Sequence, residues 1–182
     1  SLATKAQHAL VVARTDPDMP DPHDGLSAFL VELESPGVTR GDIHGKLGVR
    51  AGSTGWINFQ DVRVPAENRI GEEGEGFKIA MMELDGGRIG IGSLALGVGF
   101  AAIDFAIEYV KEREAFGRPL STFEAIQWMI ADSYTALEAA QLLVLRAAYL
   151  KETKQPHTRE ASMAKLFAAE TARDVAIRAV QM

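Results

Sequence analysis

Apolar and polar positions along the chain follow two different rhythms, and the change comes near Gly76. Before it, short apolar or alternating runs are separated by turn-forming residues. "ALVVART" (Ala9–Thr15) is one such run, and the Pro/Asp/Gly-rich "TDPDMPDPHDG" after it predicts a loop. "LSAFLVEL" (Leu26–Leu33) is stopped by "ESPG". "TGWINFQDVRVP" (Thr54–Pro65) alternates and then changes phase between Phe59 and Val62, which predicts a strand carrying a bulge. No helical stretch lies between these runs, so parallel crossover units are disfavoured. An antiparallel sheet or a piece of a barrel is expected.

From Phe77 onward the apolar spacing becomes helical. A first long helix is expected from about Phe77 to Glu114, ended by "FGRP". A second is expected to start at "STFE", where Ser121 and Glu124 have the spacing of a capping box. Its stripe is Phe123, Ile126, Ile130, Leu137, Val144 and Ala148, and it should end near Lys151. A third should open after Pro156, with Thr158 as N-cap, and run on to the end of the sequence. Three long helices with short connections predict antiparallel packing. The fold class is therefore α+β multidomain: an antiparallel β segment over residues 1–75, then an up-down helical bundle over residues 76–182.

The run "LDGGRIGIGS" (Leu84–Ser93) places four glycines inside the first helix. Each costs about 1 kcal/mol relative to Ala, so the missing side chains need a reason. At helical spacing Gly86, Gly90, Ser93 and Gly97 share one face, and Gly92, Ala95, Gly99 and Ala102 share another. Small residues admit either a neighbouring helix or a flat ligand. Asp85 and Arg88 lie three apart amid apolar residues, where an unpaired charge is costly; they either pair with each other or face a polar ligand. "GIGSLA" (Gly90–Ala95) fits G-x-G-x-x-A, but a helix rather than a strand precedes it, so the match is read as accidental. "REAFGRPL" (Arg113–Leu120) is a helix end whose cations suit the dipole and whose Pro stops the helix. That reading leaves Phe116 unexplained at an exposed turn, where an Arg beside an aromatic could bind phosphate and stack on a flat ring.

Composition narrows the classes. With 47% hydrophobic and 24% charged residues in 182, the chain reads as globular. A net charge of −6 with no basic cluster disfavours nucleic acid. No uninterrupted run of 18 apolar residues occurs, on which ground a membrane span is not expected. Without cysteine there is no disulfide and no thiolate metal site, and His8, His23, His44 and His157 are scattered without metal-ligand spacing, so no metal site is expected. "GEEGEG" (Gly71–Gly76) reads as a solvated acidic hinge, and no nucleophile elbow or P-loop occurs. "SLATKAQHALVVART" lacks a signal-peptide layout and "VAIRAVQM" lacks a C-cap, so the chain is expected to be part of a longer polypeptide.

Taken in order, "GLSAFLVE", "KLGVRAGST", "FQDVRVPAENRIGEEGEGFKIAM", "LDGGRIGIGSLALG", "REAFGRPL", "FEAIQWMIADSYTALEAA" and "MAKLFAAETARDVAIRAVQM" resemble the acyl-CoA dehydrogenase family over nearly the whole chain. The resemblance implies the latter part of a central β domain followed by most of a C-terminal helical bundle. It implies FAD as cofactor and α,β-dehydrogenation of an acyl-CoA thioester, with electrons passed to an electron-transfer flavoprotein. Asp85, Gly86, Gly87 and Arg88 match the family's substrate-contacting positions. Arg113, Phe116 and Gln181 match positions that reach FAD, Arg113 and Gln181 from a neighbouring subunit, so a homo-oligomer (dimer or tetramer) is implied. Glu124 stands where the family usually has Gln. A carboxylate repels a diphosphate, which makes Glu124 the weak member of the set.

The resemblance also implies a Glu base for the α proton. In a minority of members it precedes the Arg of the Gly-rich helix, a position held here by Gly87, so no catalytic residue is expected within the chain and the base is expected beyond Met182. A same-fold acyl-CoA oxidase or flavin monooxygenase, and a non-catalytic nucleic-acid-binding relative, are the alternative readings. The implied location is the cytoplasm in a bacterium or the mitochondrial matrix in a eukaryote.

Overall fold

A computed structural model describes all 182 residues. They form two compact units, Ser1–Met81 and Met82–Met182.

In the first unit, strands β1 (His8–Arg14) and β2 (Leu26–Glu32) pair antiparallel from His8↔Glu32 to Arg14↔Leu26. A two-residue strand, β5 (Arg69–Ile70), adds to the other edge of β2. A separate antiparallel pair joins β3 (Val38–Asp42) to β4 (Gly55–Phe59). All pairing is antiparallel, as the absence of intervening helices requires. The expected strand over Thr54–Pro65 is shorter than its pattern: it stops at Phe59, and Asp61 then takes a left-handed φ of 51°. The change of phase marks a strand end, not a bulge. Strand β3, with Gly41 inside it and charges at Arg40 and Asp42, carries too little apolar signal to be read from its sequence.

One polar knot in this unit sits under the start of the long helix α1 (Gly76–Glu112). Ser27 is fully buried, its hydroxyl 2.7 Å from the Thr15 hydroxyl and accepting from the Gly74 amide at 3.1 Å. A Cβ on Gly76 would lie 2.7 Å from both the backbone N and C of Ser27. The glycine at the helix start is therefore a condition of close backbone approach rather than of flexibility.

The second unit holds the rest of α1 with α2 (Glu124–Glu152) and α3 (Thr158–Gln181). Contacts at two glycines of α1 set the directions. Gly92 faces Val144 of α2 and the Ala164–Lys165 backbone of α3, and Gly99 faces Leu137 and Ala172. Moving forward along α1 thus means moving backward along α2 and forward along α3, the up-down arrangement expected from short connections. The core contains Leu96, Ile103 and Val110 of α1, Leu137, Ala140, Val144 and Ala147 of α2, and Ala164, Ala168 and Val175 of α3. Its many alanines let the axes come close. Tyr134 of α2 also donates to Asp104 of α1, and that carboxylate, by accepting from the neutral phenol, raises the phenol's pKa.

Three local expectations are corrected. Ser121 does not cap α2: it lies in a short 3-10 turn, Leu120–Thr122, and the N-cap is Phe123, which supplies no side-chain bond. Glu124 is instead the first helical residue, where its charge suits the dipole. Thr158 is likewise the first residue of α3 rather than its N-cap, which is His157. Third, α1 contains an 18-residue window long and apolar enough by composition to cross a membrane. The lack of an uninterrupted apolar run therefore does not exclude a span. What the structure shows is one face of this helix packed into the bundle core.

Two outcomes follow from this geometry. Gly76→Ala should destabilise the protein by about 1–3 kcal/mol, the usual cost of forcing atoms into a filled space, seen as a lower urea midpoint with the slope unchanged. Asp42 accepts from Thr4 at 2.8 Å and from Ser53 at 3.0 Å, and these bonds hold its carboxyl below the ordinary value of 3.8. A depressed pKa gives stability that is present above 3.8 and lost as pH falls through the native value. An NMR titration should find the Asp42 midpoint below 3.8 and the Thr4 and Ser53 contacts loosening in the same acidic range.

Candidate functional site

The glycines of α1 divide between two sides of the helix. Gly92 and Gly99 are buried against α2 and α3, so on that side the missing side chains serve helix packing. Gly87, Gly90 and Gly97 are exposed, and a Cβ there would meet nothing within 4 Å. Leu84, Ile91, Leu94 and Val98 share this open side and are about half exposed. The packing reading of the small-residue run thus holds on one side, and the other side is left open. Gly86 lies between them, beneath the flexible ammonium of Lys151, which sits 2.7 Å from where a Cβ would be.

Asp85 and Arg88 pair. Arg88 Nη1 donates to Asp85 Oδ1 at 2.5 Å, and the other carboxylate oxygen accepts from Thr158 Oγ1 at 2.5 Å. Asp85 is nearly enclosed, with 14% of its side chain exposed, against 33% for Arg88. The aspartate is therefore turned into the bundle and fully used. The arginine lies at the boundary of the open side and commits one nitrogen, leaving Nε and Nη2 without a protein partner. Leu84, Arg88 and Ile91, at spacings of four and three, make a line in which a cationic donor is flanked by apolar side chains. Of the four residues singled out here, Gly87 faces outward, Arg88 lies at the edge of the open side, Gly86 is half-covered, and Asp85 faces α3.

The other named residues gather at the opposite end of the bundle. Arg113 follows the last turn of α1; its amide donates to Tyr109 O and its carbonyl accepts from Leu120 N, both at 2.8 Å, so the backbone there is fixed. Its guanidinium is exposed and pairs with no carboxylate. Next comes a miniature hairpin of β6 (Glu114–Ala115) and β7 (Arg118–Pro119). The two turn residues, Phe116 and Gly117, have φ of 54° and 76°, as a two-residue type I′ turn requires. Glycine takes that conformation freely; phenylalanine does so under strain of about 1 kcal/mol or more. Phe116 is 96% exposed, edge-on to Phe123 at 6.2 Å between ring centres, while Arg118 stacks over Phe123 at 4.1 Å. Gln181, the last residue of α3, is exposed in a shallow groove with Phe105 and Tyr109 of α1. Glu124 lies at this end too, on the first turn of α2.

Arg113, Phe116, Gln181 and Glu124 are thus collected at one end, and Asp85 to Arg88 at the other. From Arg88 to Glu112 along α1 is about 36 Å at 1.5 Å per residue. Sequence reasoning missed Thr158 as a partner of Asp85, because 73 positions separate them and only the packing of α3 on α1 joins them. It also missed Lys151. No group of His, Cys, Asp or Glu is arranged to hold a metal ion.

Residues 1–62 match the acyl-CoA dehydrogenase middle domain and residues 74–182 the acyl-CoA dehydrogenase C-terminal domain. The mitochondrial short-chain specific acyl-CoA dehydrogenase of Bos taurus is 49% identical over 180 residues, which is 99% of this chain and 43% of that protein. The CarC subunit of the caffeyl-CoA reductase-Etf complex of Acetobacterium woodii is 45% identical over 182 residues, all of this chain and 48% of that one. Among solved structures, butyryl-CoA dehydrogenase from Megasphaera elsdenii superposes with a TM-score of 0.95 at 44% identity, covering 99% of this chain and 46% of its own. The chain spans less than half the length of these relatives. By its two matched domains and its fold, it belongs to the acyl-CoA dehydrogenase family.

Proposed function

We propose that this chain forms part of an FAD-dependent enzyme that removes the α and β hydrogens of an acyl-CoA thioester and passes the electrons to an electron-transfer flavoprotein. Residues 1–75 would be the latter part of its central β domain and residues 76–182 most of its helical bundle. The observation that carries the reading is the placement of two different ligand-type surfaces at the two ends of one helix.

At the first, the free donors of Arg88 border the open line of Leu84, Gly87 and Ile91. That surface suits a ligand with a polar point and an apolar length, as an acyl thioester has. At the second, an unpaired guanidinium stands beside an aromatic held outward at a strained turn, with an amide side chain at the end of the next helix. Arg113 would hold phosphate oxygens of FAD, Phe116 would lie against its adenosine portion, and Gln181 would add a hydrogen bond. Strain at Phe116 supports this reading, because an αL phenylalanine exposed to water has no packing reason to persist. Glu124 fits least well, its carboxylate being repelled by a diphosphate.

The separation of about 36 Å between the two ends favours a homo-oligomer in which the Arg113 end of one copy completes the site of another. FAD, when bound, supplies the acceptor for the β hydrogen as hydride. The residues of this chain bind and orient. The family resemblance implies a Glu base; Gly87, at the position where a minority of members carry it, has no side chain to act, so the α proton would go to a Glu outside residues 1–182. The short-chain names of the relatives favour a short acyl group, and their sources favour the mitochondrial matrix or a bacterial cytoplasm.

The test is anaerobic titration of the full-length flavoprotein with butyryl-CoA. Bleaching of the flavin's visible bands supports the reading, and failure to bleach with short or long acyl-CoA contradicts it. In the same protein Arg113→Ala should weaken FAD retention about tenfold, the scale of one charge-assisted hydrogen bond. Unchanged FAD affinity on dialysis would remove Arg113 from the site.

A further inference from the structure

Asp85 is held from two directions. Its Oδ1 takes Arg88 Nη1 and its Oδ2 takes the Thr158 hydroxyl, each at 2.5 Å. The second bond crosses from α1 to the first residue of α3. That helix has no side-chain cap of its own, since His157 supplies none. The Asp85 carboxylate thus sits against the positive end of a helix dipole, where a negative charge is favoured.

Carboxylates and guanidinium groups prefer to pair through two parallel hydrogen bonds. Here they do not: with Oδ2 taken by Thr158, Asp85 engages only Nη1 of Arg88. Nε and Nη2 remain unpaired, on an arginine one-third exposed beside Leu84, Gly87 and Ile91. We infer that Thr158 is a positioning residue of the substrate site, which keeps Asp85 from closing a two-pronged pair with Arg88 and so keeps the arginine's outer donors free for the polar head of the ligand. The inference rests on the acyl-CoA reading for the identity of that ligand, and on geometry alone for the state of Arg88. Once the hydroxyl is removed, Oδ2 loses its donor, and the guanidinium already bonded to Oδ1 is available to replace it.

The experiment compares Thr158→Val, which keeps the shape and removes the hydroxyl, with Thr158→Ser, which keeps the hydroxyl, both in the full-length flavoprotein. Thr158→Val should raise the acyl-CoA KM about tenfold, the scale of losing one hydrogen bond to a charged group, with kcat falling much less. Thr158→Ser should stay near wild type. A crystal structure of the Val variant should show Arg88 and Asp85 joined by two hydrogen bonds. A wild-type KM in the Val variant, equal impairment of the Val and Ser variants, or a single Arg88–Asp85 bond in the variant crystal would each overturn the inference. If wild-type flavoprotein is not reduced by any acyl-CoA, the functional reading fails by that arm. The variant crystal structure then judges the role of Thr158 on its own.

Discussion

A helix of 37 residues is a rod about 55 Å long, and whatever it fixes at one end stays a set distance from what it fixes at the other. Helix α1 is such a rod. It is stiffened by packing rather than by propensity, for its sequence carries glycines that would weaken it in isolation. Gly92 and Gly99 face α2 and α3, where a Cβ would press on the tips of Val144 at 3.1 Å and Leu137 at 2.6 Å, and alanines of α3 lie across the same contact. The cost in helix propensity is offset by the burial of Leu96, Ile103 and Val110 that close approach allows.

The polar groups at the two ends depend on that rigidity. At the start of the bundle, Asp85 reaches the first residue of α3, and the Thr158 bond forms only because α3 runs alongside α1 in the same direction. At the far end the hairpin between α1 and α2 is two residues per strand, too small to hold itself. It is kept in place by backbone bonds at Arg113 and by the stacking of Arg118 on Phe123. Arg113 and Phe116 are thereby presented outward from a fixed base. A cation and an exposed aromatic ring thus stand close together there.

Much of this was legible in the residues. The antiparallel strands, the long helix (expected to about Glu114, ending at Glu112) and the up-down order followed from spacing and turn chemistry, and Leu137 and Val144 lie in the core as their periodicity required. The failures share one physical character. Local rules make Ser121 and Thr158 caps, but the chain turns through a 3-10 segment at the first, and the second is the first helical residue, its hydroxyl donating to a carboxylate 73 positions away. The strand expected over Thr54–Pro65 stops at Phe59, two residues before Asp61 with its φ of 51°, and β3 is held by pairing to β4 rather than by its own apolar pattern. The run of small residues could be read as packing or as ligand space from spacing alone; the neighbours assign Gly92 and Gly99 to packing and leave Gly87, Gly90 and Gly97 open. Asp85 illustrates the limit best: its spacing to Arg88 allowed a pair or a shared polar ligand, and nothing nearby indicated Thr158 as a partner.

The central claim is that the Arg88 end and the Arg113 end of one chain serve different sites, each completed by a neighbouring copy. Subunit complementation addresses it directly. Full-length protein carrying Arg88→Ala and full-length protein carrying Arg113→Ala, each impaired alone, are dissociated, mixed in equal amounts and reassembled with FAD. In a two-fold pairing with random mixing, half the pairs are mixed, and each mixed pair has one site with both wild-type ends. Acyl-CoA dehydrogenation should therefore return to about a quarter of the wild-type level. Activity that stays at the average of the two separate variants would show that both ends belong to one copy's site, and the account would be wrong.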